Sequence, residues 1–158
     1  MKRVGIGIIG CGAISERAQI PAYLRTPECR LVAVSDINLD RAREIANRFG
    51  IEHFFAHYND LLNHPDVEAV SVCTPPATHC KIVVDSCTAG KHVLCEKPIA
   101  LSLQEADDMI EAATKSGIVF SVGHQFRFMP NVRRVRELLL KKIIGRVLHC
   151  YGEFSGGS

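Results

Sequence analysis

Val4-Gly5-Ile6-Gly7-Ile8-Ile9-Gly10-Cys11-Gly12-Ala13-Ile14-Ser15 is the stretch that decides the fold. Val4 to Ile9 is an apolar run of strand length, and Gly10-Cys11-Gly12 is a tight turn. A helical pattern follows at once, with Ile14 and Ala18 expected on one face. Strand, glycine turn and helix form the arrangement that binds a dinucleotide pyrophosphate. The first glycine permits the turn and the second lets phosphates approach the backbone. The helix N-terminus offers free N–H groups and the positive end of its dipole. Ser15 stands where a third glycine usually lets helix and strand pack closely, a place that a small residue can fill.

Alone, this G-x-G-x-x-S pattern is a weak signal, and Asp36 strengthens it. Leu31-Val32-Ala33-Val34-Ser35 reads as the second strand. Asp36, at its end, lies about 24 residues past Gly12, near the spacing of roughly 20 expected of an acidic residue that holds the adenosine ribose. A carboxylate there accepts from both ribose hydroxyls and repels a 2′-phosphate, so NAD is expected in preference to NADP. The plainer alternative is a glycine turn followed by an Asp that caps the next helix.

Beyond Asp36, strands alternate with helices. Asn38 caps a helix with Leu39, Ala42, Ala46 and Phe49 inward, closed by Gly50. Further strands are expected at 53–55, 67–73, 92–95 and 118–122. One intervening helix turns Ala77, Cys80, Val83, Val84 and Cys87 inward. Ser102 and Glu105 form a capping box for another, facing inward through Leu103, Ala106, Ile110 and Ala113. Pro21 is expected to interrupt the first helix and start a second short one. The alternation predicts an α/β fold, a doubly wound parallel sheet of the Rossmann type, with ligand at the carboxyl ends of the strands. Those ends carry Gly10, Asp36, Thr74 and Glu96-Lys97. A helix from Pro130, ended by Gly145, and a strand over 146–154 complete the pattern. The expected division is a dinucleotide-binding domain at 1–124, then a connecting helix and the first strand of a second α/β domain at 125–158.

The chain has 158 residues, 47% of them hydrophobic and 23% charged, which suits one ordinary globular domain with a real core. A net charge of +2, spread along the chain, speaks against nucleic-acid or membrane partners. The seven cysteines are odd in number, contain no C-x-x-C and fall mainly on apolar strands and helix faces. Reduced thiols and a cytoplasmic compartment are expected. Lys2-Arg3 and the apolar run before Cys11 mimic a lipoprotein signal. That run is only about seven residues long and includes two glycines, and cleavage would destroy the first strand. The histidines show no metal-binding spacing, so no metal is expected. Cys95 reads as a core thiol rather than a nucleophile.

Several motifs occur in order: Gly10-Cys11-Gly12, Asp36, Thr74-Pro75-Pro76 with His79, Gly90-Lys91-His92-Val93-Leu94-Cys95-Glu96-Lys97-Pro98, and Gln125-Phe126-Arg127-Phe128. In these the chain resembles the glucose–fructose oxidoreductase / inositol dehydrogenase / MocA family of NAD(P)-dependent sugar oxidoreductases. The likeness runs along nearly the whole chain, and its most specific part is the Gly90 to Pro98 run.

The resemblance implies that Gly10, Cys11, Gly12, Ala13 and Ile14 hold the pyrophosphate and Asp36 the adenosine ribose. Thr74, Pro75 and His79 would line the nicotinamide side, with Glu96 near the nicotinamide ribose. Lys97 would be catalytic, hydrogen-bonding the substrate oxygen that gains or loses a proton, and Pro98 would follow a cis peptide. Arg127 is a candidate contact to cofactor phosphate or substrate, with a salt bridge as the alternative. The implied substrate is a sugar or polyol. The implied second domain would supply the substrate pocket and a homo-oligomer interface, making this chain a fragment or a natural truncation. A non-catalytic NAD-binding or regulatory module is the rival reading.

Overall fold

The computed structural model describes residues 2–153. The chain divides into two units, Met1–Gly123 and His124–Ser158.

The first unit is built on six strands: β1 (Val4–Ile9), β2 (Cys29–Ser35), β3 (His53–Phe55), β4 (Ala69–Val72), β5 (His92–Cys95) and β6 (Phe120–Val122). They form one sheet in the order β3-β2-β1-β4-β5-β6, every pair parallel. The order reverses between β1 and β4, and a doubly wound sheet opens its ligand crevice at such a point. Helices α1 (Ile20–Leu24), α2 (Leu39–Phe49), α3 (Tyr58–Leu62), α4 (His79–Thr88) and α5 (Leu103–Ser116) connect the strands. Central strands covered on both faces become continuous apolar runs, as β1 shows with five of its six residues buried.

Capping follows the sequence. The Asn38 side chain accepts from the Arg41 N–H, and Gly50 ends α2 with φ 67°. Ser102 accepts from the Glu105 N–H, and Gly117 ends α5 with φ 65°.

Ala42, Ala46, Val83, Cys87 and Ala113 are buried as expected, and the rest of the buried helix faces depart from the expected ones. Ile14 and Ala18 are exposed, whereas Ser15 and Ile20 are buried. Residues Ser15–Gln19 wind as a π-helix that runs directly into α1. The wider i→i+5 turn places Ser15 and Ile20 on the inner face in place of an i, i+4 pair. It also makes room for Pro21, whose ring would strike the carbonyl four residues back in an α-helix. The second short helix expected from Pro21 is present as α1, with Pro21 in its first turn, and the segment before it is the π-helix. Ile45 joins Ala42 and Ala46 in the core of α2, while Leu39 is exposed. On α4 the buried line is His79, Ile82, Val83, Ser86 and Cys87, with Cys80 and Val84 at its margin. On α5 it is Met109 and Ala113, and Leu103 is 86% exposed. A 3.6-residue period admits two neighbouring stripes on these helices, and packing on the sheet selects between them.

The second unit holds a 3₁₀ turn, Gln125–Phe128, and α6 (Pro130–Leu140), with Pro130 in its first turn. α6 ends at Leu140 rather than at Gly145, and residues 146–153 form no strand. A strand needs a neighbour to bond its backbone groups, and the described residues of this unit contain no other strand. Phe154 lies outside the described residues.

Candidate cofactor and active site

The register of the sheet lines up the strand ends. Ile9 pairs with Ser35 and Val72, and Val72 with Cys95. One residue further on, the carboxyl edge presents Asp36, Gly10, Cys73 and Glu96 on four adjacent strands. At about 4.8 Å per strand, Asp36 and Glu96 stand roughly 14 Å apart along that edge.

Gly10 makes the turn with φ 94°, and a Cβ there would lie 2.9 Å from the Cys73 carbonyl group. Ser15 donates from its hydroxyl to the Gly10 carbonyl, fastening the helix to the turn it follows. The first helical bond runs from the Glu16 N–H to the Gly12 carbonyl. The N–H groups of Ala13 and Ile14 therefore precede any intrahelical acceptor. A Cβ on Gly12 would meet nothing within 4 Å. That open space beside unpaired amides fits a pyrophosphate.

Asp36 is partly buried, and both its oxygens are engaged. Oδ2 accepts from the Cys11 N–H at 2.8 Å, and Oδ1 from the Asn38 N–H at 2.9 Å. Each oxygen keeps one acceptor position for a ribose hydroxyl. The Cys11 amide is thus bound to Asp36, and its thiol is buried. Burial, reinforced by the Asp36 charge, pushes that thiol up to about 12.

A cleft of about 650 Å³ opens over this edge. Gly12, Ala13, Ile14, Asp36, Thr74 and Pro75 line it, and so does Arg41. Ile37, Tyr58 and Lys81 line it as well, and sequence reasoning did not place them there. Lys81 and Tyr58 both hydrogen-bond the Asp85 carboxylate, at 2.9 and 2.6 Å. The i, i+4 spacing of Lys81 and Asp85 is a local pattern, whereas the place of Lys81 beside the cleft is decided by the fold.

His79 lies beneath the cleft rather than on its wall. It is fully buried, its Nδ1 is 2.9 Å from the Pro98 carbonyl oxygen and its Nε2 2.9 Å from that of Thr74. It joins the loops that follow β4 and β5. Glu96 is also buried; its Oε1 accepts from Gln19 Nε2 at 2.7 Å and its Oε2 from the Lys97 N–H at 3.2 Å. The Lys97–Pro98 peptide is cis. The Lys97 side chain is exposed. Cys95 is a buried thiol pushed up to about 12 by burial, as befits a core residue. Arg127 sits in the 3₁₀ turn of the second unit.

Two motif residues have structural work of their own. Lys91 donates to the Val67 carbonyl at 2.7 Å, and His92 Nδ1 accepts from the Val119 N–H at 3.0 Å, both at the amino edge of the sheet.

The family model for oxidoreductases with an NAD-binding Rossmann fold matches residues 4–124. The chain belongs to the GFO/IDH/MocA family. Among its relatives, the myo-inositol 2-dehydrogenase of Thermotoga maritima is 34% identical over 89% of the chain and 42% of the relative. The uncharacterized oxidoreductase YrbE of Bacillus subtilis is 33% identical over 91% and 42%. Among solved structures, the 3-ketoreductase KijD10 of Actinomadura kijaniata, crystallised with NADP and TDP-benzene, superposes with a TM-score of 0.83. It is 31% identical, and the match covers 90% of this chain and 45% of that one. The chain therefore spans under half the length of these GFO/IDH/MocA relatives. No described helix is long and apolar enough to cross a membrane.

Proposed function

We propose that this chain is the cofactor-binding half of an NAD(P)-dependent oxidoreductase acting on a hydroxyl or carbonyl group of a sugar, polyol or related compound. The observation that carries the reading is the row of strand ends. Asp36, Gly10 and Glu96-Lys97 follow one another along one edge of the sheet, in the order of adenosine ribose, pyrophosphate and nicotinamide, with Asp36 and Gly10 lining the cleft. When bound, the nicotinamide supplies the hydride donor or acceptor. The amides of Gly12, Ala13 and Ile14 hold the pyrophosphate, and Asp36 holds the adenosine ribose. Cys11 serves indirectly, through its bond to Asp36. Thr74 and Pro75 form the wall toward the nicotinamide, and His79 supports that wall from behind. Glu96 and Lys97 follow at the next strand end, where Lys97 holds or moves the proton of the substrate oxygen. Arg127 is assigned to cofactor phosphate or substrate. Because Asp36 confronts a 2′-phosphate, NAD is the preferred cofactor. Sugar-related names among the relatives support the substrate class, and a cytoplasmic location and a homo-oligomer are part of the same reading.

Two measurements test it. Fluorescence titration of the chain with NADH and NADPH should show binding, with NADH tighter. NADH production over a panel of sugars and inositols should be negligible for this chain. It should appear in a protein that continues into a complete second domain, and be lost there with Lys97→Ala. Failure to bind either cofactor would overturn the proposal.

A further inference from the structure

Glu96 is 6% exposed, yet none of the ion pairs among the described residues includes it. Its two oxygens are held by neutral donors alone, Gln19 Nε2 and the Lys97 N–H. A third side is closed by Gly123, where a Cβ would lie 3.4 Å from the carboxylate. A buried carboxylate without a cation depends heavily on each hydrogen bond it accepts. Gln19, distant by 77 residues in sequence, supplies the shorter of the two. It is the last residue of the π-helix, and the wide turn that accommodates Pro21 also sets the direction in which Gln19 leaves the helix.

We propose that Gln19 is a positioning residue for Lys97. It fixes the Glu96 carboxylate, which in turn holds the Lys97 backbone N–H. The helix after the glycine turn and the loop after β5 are thereby set as one unit. This inference rests on the functional reading above for its consequence, not for its geometry.

The test replaces Gln19 in two ways. Gln19→Met removes the donor at similar volume. Gln19→Glu places a second carboxyl against Glu96, and two adjacent carboxyls retain a shared proton until the pH rises well above the usual carboxylate range. When protonated, the new carboxyl donates an O–H as the amide does; when ionised, it repels Glu96. The other titratable groups that feel Glu96 are Tyr23 on α1, Cys73 after β4 and Cys95 on β5. All three are pushed up, chiefly by burial, and so stay neutral between pH 5.5 and 8. His79, against Pro98, and Lys97 are the same residues in wild type and variants.

The readouts are the Lys97 amide resonance with its hydrogen-exchange rate, and NADH affinity, at pH 5.5 and pH 8. Gln19→Met should shift the Lys97 amide, speed its exchange and weaken NADH about tenfold at both pH values. Gln19→Glu should match wild type within about twofold at pH 5.5 and resemble Gln19→Met at pH 8. A general loss of stability would not return with acidification in this way. An unchanged Lys97 amide in both variants would overturn the inference, and so would a Gln19→Glu variant indifferent to pH. If wild type bound no NADH, the functional reading would fail, while the Lys97 amide would still decide the role of Gln19.

Discussion

The Asp36 carboxylate and the Cys11 backbone N–H are joined at 2.8 Å, so the residue proposed to read the ribose also holds the glycine turn in place. Its second oxygen takes the Asn38 N–H at 2.9 Å. Hydrogen bonds to a charged group contribute about 1.5–3 kcal/mol each. Asp36→Ala should therefore weaken NADH binding by one to two orders of magnitude and narrow the gap to NADPH. Titration of both cofactors against wild type and variant checks this. An NADPH affinity equal to that for NADH in the wild type would show that Arg41, in the same cleft, outweighs Asp36.

Gly10 and Gly12 should separate stability from binding. Gly10→Ala puts a Cβ at φ 94° and 2.9 Å from the Cys73 carbonyl group, and should destabilise by about 2–3 kcal/mol. Gly12→Ala meets open space and should leave the denaturation midpoint nearly unchanged while abolishing cofactor binding. Urea unfolding and NADH titration, run on both variants, measure the two effects independently.

Lys91 bridges to the Val67 carbonyl at 2.7 Å. Lys91→Met removes that donor and should lower stability by about 1–2 kcal/mol. NADH affinity should stay at the wild-type value, because the contact lies at the amino edge of the sheet, opposite the cleft. A loss of affinity without a loss of stability would refute this division of roles.

Cys11 and Cys95 should be inert thiols. Burial raises both from an ordinary 9.0 to about 12, whereas Cys150 is exposed. In native protein at pH 8, iodoacetamide should label Cys150 and spare Cys11 and Cys95, as mass spectrometry of the digests would reveal. The two thiols also make stability depend on pH. Below pH 9 they are protonated in both folded and unfolded chains, and their contribution is fully present. Between 9 and 12 the unfolded chain binds fewer protons than the folded one, so stability falls as pH rises. Replacing both with Ala should make that alkaline limb shallower, with the remainder carried by the other raised groups, Cys73 and Tyr23 among them.

The sequence by itself determined the parallel α/β sheet, the glycine turn, the caps at Asn38 and Ser102, and the strand ends that carry Asp36 and Glu96-Lys97. Each is a local signal: an apolar run of strand length, a turn that demands a positive φ, or a side chain that bonds its own helix. What only the tertiary structure decided was what faces what. Gly5 and Gly7 read as ordinary strand residues, yet a Cβ on either would strike the Asp66 carbonyl or the Leu61 side chain. Of the face expected on α5, Ala113 is buried while Leu103 and Ile110 are exposed, and Met109 takes their place against the sheet. Gln19 carries no motif, because its partner Glu96 is 77 residues away. His79 reads as a wall residue from its place after Thr74-Pro75-Pro76, whereas its two ring nitrogens lie between the carbonyls of Thr74 and Pro98. Helix phase, close backbone approach and buried hydrogen bonds between distant segments are settled by packing across the sheet, and a short-range pattern of residue types does not encode them.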